Sequence, residues 1–150
     1  MCIRDRLSIE DNEVKYDQVG KPIFSQNKIL SISHSGNYAT VITSDKTVGI
    51  DIEKISDKAM KIKQKFLHIE LNYPLELNNK ISLVYWNIKE SIYKAVGIKG
   101  IDFKKNILAL PLDTTSSKCK SWYVNNDEIY SFETHFRISK NYTLAFVIKN

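Results

Sequence analysis

The chain has 150 residues, 43% of them hydrophobic and 26% charged, which predicts one globular domain or two small fused halves. Its 22 basic and 17 acidic residues leave a net charge of +5, which favours an anionic partner without identifying it. This composition excludes disordered and collagen-like classes, and no apolar run approaches the roughly 18 residues of a membrane span. The two cysteines, Cys2 and Cys119, suggest neither a disulfide framework nor a zinc site. With no export signal at the N-terminus, we expect a cytoplasmic protein.

The first third of the chain predicts short strands. Gly20-Lys21-Pro22 has turn chemistry. β-Branched and aromatic residues with alternating polarity predict strands over 28–33, 38–43 and 47–53. Residues 33–37 are expected to form the turn between the first two of these strands.

The middle of the chain predicts two helices and the last third predicts strands. Helical spacing of apolar residues predicts a helix over 57–68 and a stronger one over 80–96, with a loop at 72–79 between them and Gly97 as a C-terminal cap. Residues 113–118 are expected to form a polar loop, and 139–141 a tight hairpin turn. Strands are predicted at 107–112, 121–125, 129–138 and 142–149.

The strand Gly49-Ile-Asp-Ile-Glu53 carries the first candidate site. Side chains alternate along a strand, so Asp51 and Glu53 should share one side while Ile50 and Ile52 face the core. Two neighbouring carboxylates repel unless a cation offsets their charge, and Mg²⁺ beside a phosphate would do so. A half-exposed strand with solvated acids remains the alternative.

The long predicted helix carries the second candidate site. Trp86, Glu90 and Lys94 are four residues apart and therefore lie along one face, away from most of the apolar stripe. Glu90 would supply a third carboxylate to a metal site with Asp51 and Glu53. Lys94 could neutralise a phosphate oxygen, although an ordinary helix-surface ion pair is the alternative.

The third candidate site is Ser33-His34-Ser35, where hydroxyls, an imidazole and turn amides could bind a phosphate. Lys21 adds a cation on a rigid turn with Pro22. The alternatives are a solvated turn histidine and a plain surface turn.

Taken together, these motifs resemble the 4′-phosphopantetheinyl transferases, in particular their larger, two-halved type. The resemblance extends from about Tyr16 to the C-terminus, and Ser33-His34-Ser35 favours the larger type over the short, trimeric one. The segment 65–70 is similar, more weakly, to a family segment that contains a phenylalanine. The motifs that carry the resemblance are, in order, Gly20-Lys-Pro22, Ser33-His-Ser35, Gly49-Ile-Asp-Ile-Glu53 and Trp86 to Gly97.

The resemblance implies transfer of the 4′-phosphopantetheinyl arm of coenzyme A to a serine of an apo acyl or peptidyl carrier protein, with release of adenosine 3′,5′-bisphosphate. Asp51, Glu53 and Glu90 would bind Mg²⁺ against the pyrophosphate. Glu90 would also help to deprotonate the carrier serine, and Lys94 would stabilise charge that develops on the phosphate.

The resemblance also implies a coenzyme A site. Lys21, Ser33 and His34 would hold the nucleotide end and its phosphates together with Lys94, and Pro22 would shape the pocket. Neither a nucleic acid nor a membrane is an expected partner, and the sequence does not define an oligomeric state.

The implied fold is α+β, as one transferase domain over 1–150 with two pseudo-symmetric halves, 1–56 and 57–150. Each half would have a small antiparallel sheet and a helix, with the active site between them. Only 15 residues precede Tyr16, where the resemblance begins, so we expect an incomplete first half, weak coenzyme A binding and exposed apolar surface.

Other function classes remain open at this point. A fragment that binds carrier protein without catalysis would show the same motifs. A metal-dependent nuclease could use the same acids but needs an extended basic face, whereas the basic residues here are scattered. A sugar-kinase-like ATPase would need phosphate-binding glycines soon after Asp51, and none occurs before Gly97.

Overall fold

The computed structural model describes residues 14–18, 20, 22–24 and 28–150, which form two antiparallel sheets with the helices inserted into the chain between β5 and β6. The first sheet has the order β1-β2-β3-β4 and consists of Val14–Tyr16, Pro22–Phe24, Ile29–Ser35 and Tyr38–Ser44. The second has the order β5-β9-β8-β7-β6; in chain order, β5 to β9 are Val48–Lys54, Ile107–Ala109, Lys118–Val124, Ile129–Ile138 and Tyr142–Lys149. The helices are α1 (Lys58–Phe66), a 3₁₀ turn (Ile69–Asn72), α2 (Asn79–Val96) and α3 (Phe103–Asn106).

The predicted α+β class with two antiparallel sheets is confirmed. β5, which the predicted division at residue 56 assigns to the first half, pairs with β9 of the second sheet. The division itself, and the pseudo-symmetry of the halves, stay predictions.

Helix α2 forms the centre of the core on the second sheet. Its predicted apolar stripe is confirmed, since Val84, Ile88 and Ile92 are fully buried. Asn78 caps its N-terminus by accepting from two backbone N–H groups. Gly97 ends the helix as predicted, with a φ of 70° that favours glycine.

Gly49 allows α2 and β5 to approach closely. A Cβ built at this position would lie 1.9 Å from the backbone oxygen of Ser91, far inside van der Waals contact. The φ of Gly49 is not positive, so contact rather than backbone conformation requires glycine here. The glycine of the Gly-Ile-Asp-Ile-Glu motif therefore sets the distance between the strand and helix that carry the candidate site.

Three element predictions were wrong. Ser33-His34-Ser35 belongs to strand β3 rather than to the following turn, which is reduced to Gly36 and Asn37; Gly36 has a φ of 58°, as a two-residue hairpin turn requires. β6 ends at Ala109, three residues before the predicted end, although the N–H of Leu110 still donates to the carbonyl oxygen of Lys120. β7 starts at Lys118, within the predicted polar loop, and α3, β1 and β2 were not predicted.

A buried ion pair joins α2 to the 3₁₀ turn, and its lysine also binds the first residues of α3 and β6. The Nζ of Lys89 lies 2.8 Å from Oε1 of Glu70 and donates to the carbonyl oxygens of Phe103 and Ile107. Both side chains are almost completely buried. Burial lowers the pKa of the Lys89 ammonium, and the charge of Glu70 opposes this shift.

Candidate active site

One cavity, with a volume of about 350 Å³, collects most of the predicted site residues. β3 and β5 form one side of it and α2 forms the other. Trp86 completes the helical wall, with its ring packed edge-on against Phe66. The predicted residues that line this cavity are Ser33, His34, Asp51, Glu53, Glu90 and Lys94.

Asp51 is the most strongly connected of these residues. Its Oδ1 accepts from Ser33 Oγ at 2.7 Å and from Lys94 Nζ at 2.8 Å. Its Oδ2 accepts from Asn87 Nδ2 at 2.8 Å. Lys94 also donates to the carbonyl of Ile50, so its ammonium is held at the edge of β5 beside the cavity.

Serine hydroxyls of β3 satisfy the free edge of β5. In an antiparallel pair, alternate N–H groups of an edge strand point away from its neighbour, and here those of Ile50, Ile52 and Lys54 are the ones involved. They donate to the hydroxyls of the serines at 31, 33 and 35, respectively. The serines at 33 and 35 in turn donate to the carboxylates of Asp51 and Glu53. The serine ladder, residues 31, 33 and 35, therefore joins the sheets and orients both acids.

Ser33→Ala should cost more stability than Ser35→Ala. The first change leaves the buried N–H of Ile52 without an acceptor and removes one of three donors to the buried carboxylate of Asp51, for which we expect a loss of about 1–3 kcal/mol. Ser35 makes the same two kinds of bond, but its backbone partner at Lys54 is exposed to water. Urea unfolding of both variants measures the difference in the free energy of unfolding. Equal losses in the two variants would contradict the expectation that the buried hydrogen bonds of Ser33 contribute more to stability.

The charges of the cavity act on Glu90. Burial raises the pKa of its carboxyl group most, and the negative charge of Asp51 raises it further. The Lys94 ammonium has the next largest effect and lowers the pKa. Glu53 adds a smaller increase and Lys58 of α1 a smaller decrease. Three carboxylates and two ammonium groups thus share one cavity.

A second cavity, of about 450 Å³, lies next to the first, and Ile32 and Lys94 line both. Pro22 lines this second cavity with Tyr93 and other mostly apolar groups, so it does not join the carboxylates. Lys21 lies outside the described residues.

The three carboxylates of the first cavity fit Mg²⁺ in chemistry, because this ion prefers oxygen ligands. Among the described residues, however, no three His, Cys, Asp or Glu side chains are close enough to form a metal-binding cluster. The Lys94 ammonium contacts Asp51 directly instead. Asp51, Glu53 and Glu90 as metal ligands therefore stay a prediction.

The sequence of this chain matches a known protein family. A model of the 4′-phosphopantetheinyl transferase superfamily matches residues 47–147, more than half of the chain. The chain belongs to this superfamily. The match contains Asp51, Glu53, Glu90 and Lys94 of the transferase motifs, whereas Ser33 lies before it.

Curated 4′-phosphopantetheinyl transferases are also similar to this chain. The transferase gsp of Aneurinibacillus migulanus is 36% identical over 98 residues, which cover 61% of this chain and 41% of the relative. HetI of Nostoc sp. is 35% identical over 106 residues, covering 61% and 45%, and psf-1 of Bacillus pumilus is 32% identical over 91 residues, covering 56% and 39%. The matched part thus spans less than half of the length of these relatives.

Two buried polar residues next to the candidate site, Asn87 and Thr143, were not predicted from the sequence. Asn87 sits between apolar positions of α2, and Thr143 is a strand former in a predicted strand, so neither pattern marked them. Lys58 was missed because α1 is rich in lysine and only the fold shows which one faces the cavity.

In the part of the chain that is described, no helix is long and apolar enough to cross a membrane.

Proposed function

We propose that this chain transfers the 4′-phosphopantetheinyl group of coenzyme A to a serine of an apo acyl or peptidyl carrier protein, with Mg²⁺ and release of adenosine 3′,5′-bisphosphate. One observation carries the proposal. Four charged residues of the family motifs, on β5 and α2, line one cavity together with Ser33 and His34 of β3. The proposed location is the cytoplasm.

The reaction needs a base, a means of neutralising phosphate charge and a position for the nucleotide. Mg²⁺ held by Asp51, Glu53 and Glu90 would withdraw charge from the pyrophosphate. Glu90 accepts the proton of the carrier serine, since a serine hydroxyl is a weak nucleophile without a base. The serine oxygen bonds to the phosphorus that bears the pantetheine arm, and the bond to the bridging oxygen breaks. Its electron pair leaves with adenosine 3′,5′-bisphosphate.

Lys94 stabilises the charge that grows on the phosphates during this step. Its ammonium lies at the junction of the two cavities, held by Asp51 Oδ1 and the Ile50 carbonyl. A donor fixed in advance costs little reorganisation in the transition state. We assign the nucleotide end of coenzyme A to Ser33 and His34, with Pro22 shaping the neighbouring cavity and Lys21 as a further contact.

Intact-mass spectrometry tests the proposal. An apo carrier protein incubated with this chain, coenzyme A and Mg²⁺ should gain the mass of one phosphopantetheinyl group. Asp51→Ala should abolish the gain, whereas Asp127→Ala, which changes an exposed acid in the β7–β8 turn, should preserve it. No gain on several carriers with a folded sample would contradict the proposal. Carrier binding without transfer would then support the binding-fragment alternative, and plasmid cleavage in Mg²⁺ would support the nuclease.

A further inference from the structure

Asn87 is a polar residue that lies beside the apolar stripe of α2 and is nevertheless buried. Its side chain and that of Thr143 on β9 are both 0% exposed. A buried amide or hydroxyl is costly unless it is hydrogen-bonded. The contacts of these two residues should therefore explain why they are polar.

The two residues form a directed chain of hydrogen bonds that ends on Asp51. Thr143 Oγ1 donates to Asn87 Oδ1 at 2.6 Å, and Asn87 Nδ2 donates to Asp51 Oδ2 at 2.8 Å. An ionised carboxylate can only accept, so the amide nitrogen must face Asp51 and the amide oxygen must face the threonine hydroxyl. The direction of every bond is thus fixed by chemistry.

These hydrogen bonds give the two oxygens of Asp51 different surroundings. Oδ2 is bound on the buried side by Asn87, while Oδ1 meets Ser33 and Lys94 at the cavity. Thr143 is also the cross-strand partner of Glu53, the second acid of the motif. The buried amide of Asn87 therefore connects β5 and β9 to α2.

We propose that Asn87, oriented by Thr143, is a positioning residue that holds the Asp51 carboxylate with Oδ1 towards the cavity. The inference rests on the proposed function, because it assigns Asp51 to the reacting phosphates and their metal ion. Groups that hydrogen-bond to a ligating carboxylate typically affect metal affinity or activity by about 10–100-fold.

Matched substitutions at Thr143 test this role without touching Asp51. Thr143→Val keeps the shape of the side chain but removes the hydroxyl that fixes the amide, and Thr143→Ser keeps the hydroxyl. We expect Thr143→Val to weaken Mn²⁺ binding, measured by electron paramagnetic resonance with and without coenzyme A, by about 10-fold or more. Thr143→Val should also lower kcat by a similar factor. Thr143→Ser should keep the Mn²⁺ affinity and kcat near those of the wild type.

Asn87→Ala provides the second measurement. It should reproduce the loss of Mn²⁺ affinity, and adding Thr143→Val should cause little further loss, because the threonine acts through the amide. Thermal unfolding of each variant establishes that the sample is folded at the temperature of the binding experiment.

The outcomes separate this inference from the proposed function. If Thr143→Val and Asn87→Ala had lower thermal stability but unchanged Mn²⁺ affinity and kcat, these hydrogen bonds would only stabilise the fold. That result would overturn the inference. A wild-type chain that binds no Mn²⁺ would overturn it as well. A wild-type chain that binds Mn²⁺ but modifies no carrier would contradict the proposed function, while the Mn²⁺ affinities of the variants would still decide the positioning role.

Discussion

Replacing Lys89 by methionine should lower the free energy of unfolding by about 3–5 kcal/mol, because Glu70 would keep a buried charge without its partner. The Glu70 carboxylate would retain the N–H groups of His68 and Ala109 as donors. Two backbone hydrogen bonds, however, cannot replace an ammonium group 2.8 Å away. The carbonyls of Phe103 and Ile107 would also lose their donor.

A second substitution separates the charge from the packing. Changing Glu70 to leucine in the Lys89→Met background removes the unpaired charge, so the double variant should recover part of the loss. Recovery should be incomplete, since the carbonyls that Lys89 binds stay unpaired. Urea unfolding of the single and double variants measures both steps.

An exposed ion pair supplies the control. Lys61 lies 2.9 Å from Asp57 on α1, and the two side chains are 71% and 57% exposed. Lys61→Met should therefore change stability by less than about 1 kcal/mol. A Lys89→Met variant as stable as Lys61→Met would show that the buried pair contributes nothing to the fold.

The sequence predicts the elements of the site better than the contacts that hold it together. The side of β5 that bears Asp51 and the face of α2 that bears Glu90 and Lys94 follow from periods of 2 and 3.6 residues, and the structure places all three at one cavity. Periodicity describes a single element. It does not say which two elements meet.

Contacts between elements explain what was missed. Ser33 was predicted as a turn residue for phosphate, yet its hydroxyl bonds to Asp51 of β5, 18 residues away, and β3 continues through Ser35 because it pairs with β4. Asn87 lies between the apolar positions of α2, and only the packing of α2 on β5 reveals its partner, Asp51. β1 and β2 are three residues long, too short for an alternating pattern to stand out.

Gly49→Ala should be among the most damaging single changes in the chain, with a loss of about 3 kcal/mol or more in the free energy of unfolding. The new Cβ would lie 1.9 Å from the Ser91 oxygen and 2.8 Å from its carbonyl carbon. These are backbone atoms of a central helix, so no side-chain rotation can relieve the clash. β5 and α2 must therefore separate.

The same separation should reduce the proposed transfer activity in whatever fraction of Gly49→Ala remains folded. Asp51 follows two residues after Gly49 on β5, and Lys94 lies on α2, so moving the two elements apart lengthens the 2.8 Å contact between their side chains. A displacement of about 1 Å in a catalytic group can cost roughly 100-fold in rate. Single-turnover transfer to a carrier protein, measured at a temperature where the variant is folded, tests this.

Gly100→Ala is the matched control for the clash. Gly100 has a φ of 77°, but a Cβ there would meet no atom within 4 Å. Its substitution should cost only the left-handed backbone strain of roughly 1–2 kcal/mol and should leave the rate of transfer unchanged. If Gly49→Ala proved no more harmful than Gly100→Ala in stability and rate, β5 and α2 would have to be able to separate freely. The spacing that Gly49 imposes would then not be what holds Asp51 and Lys94 together.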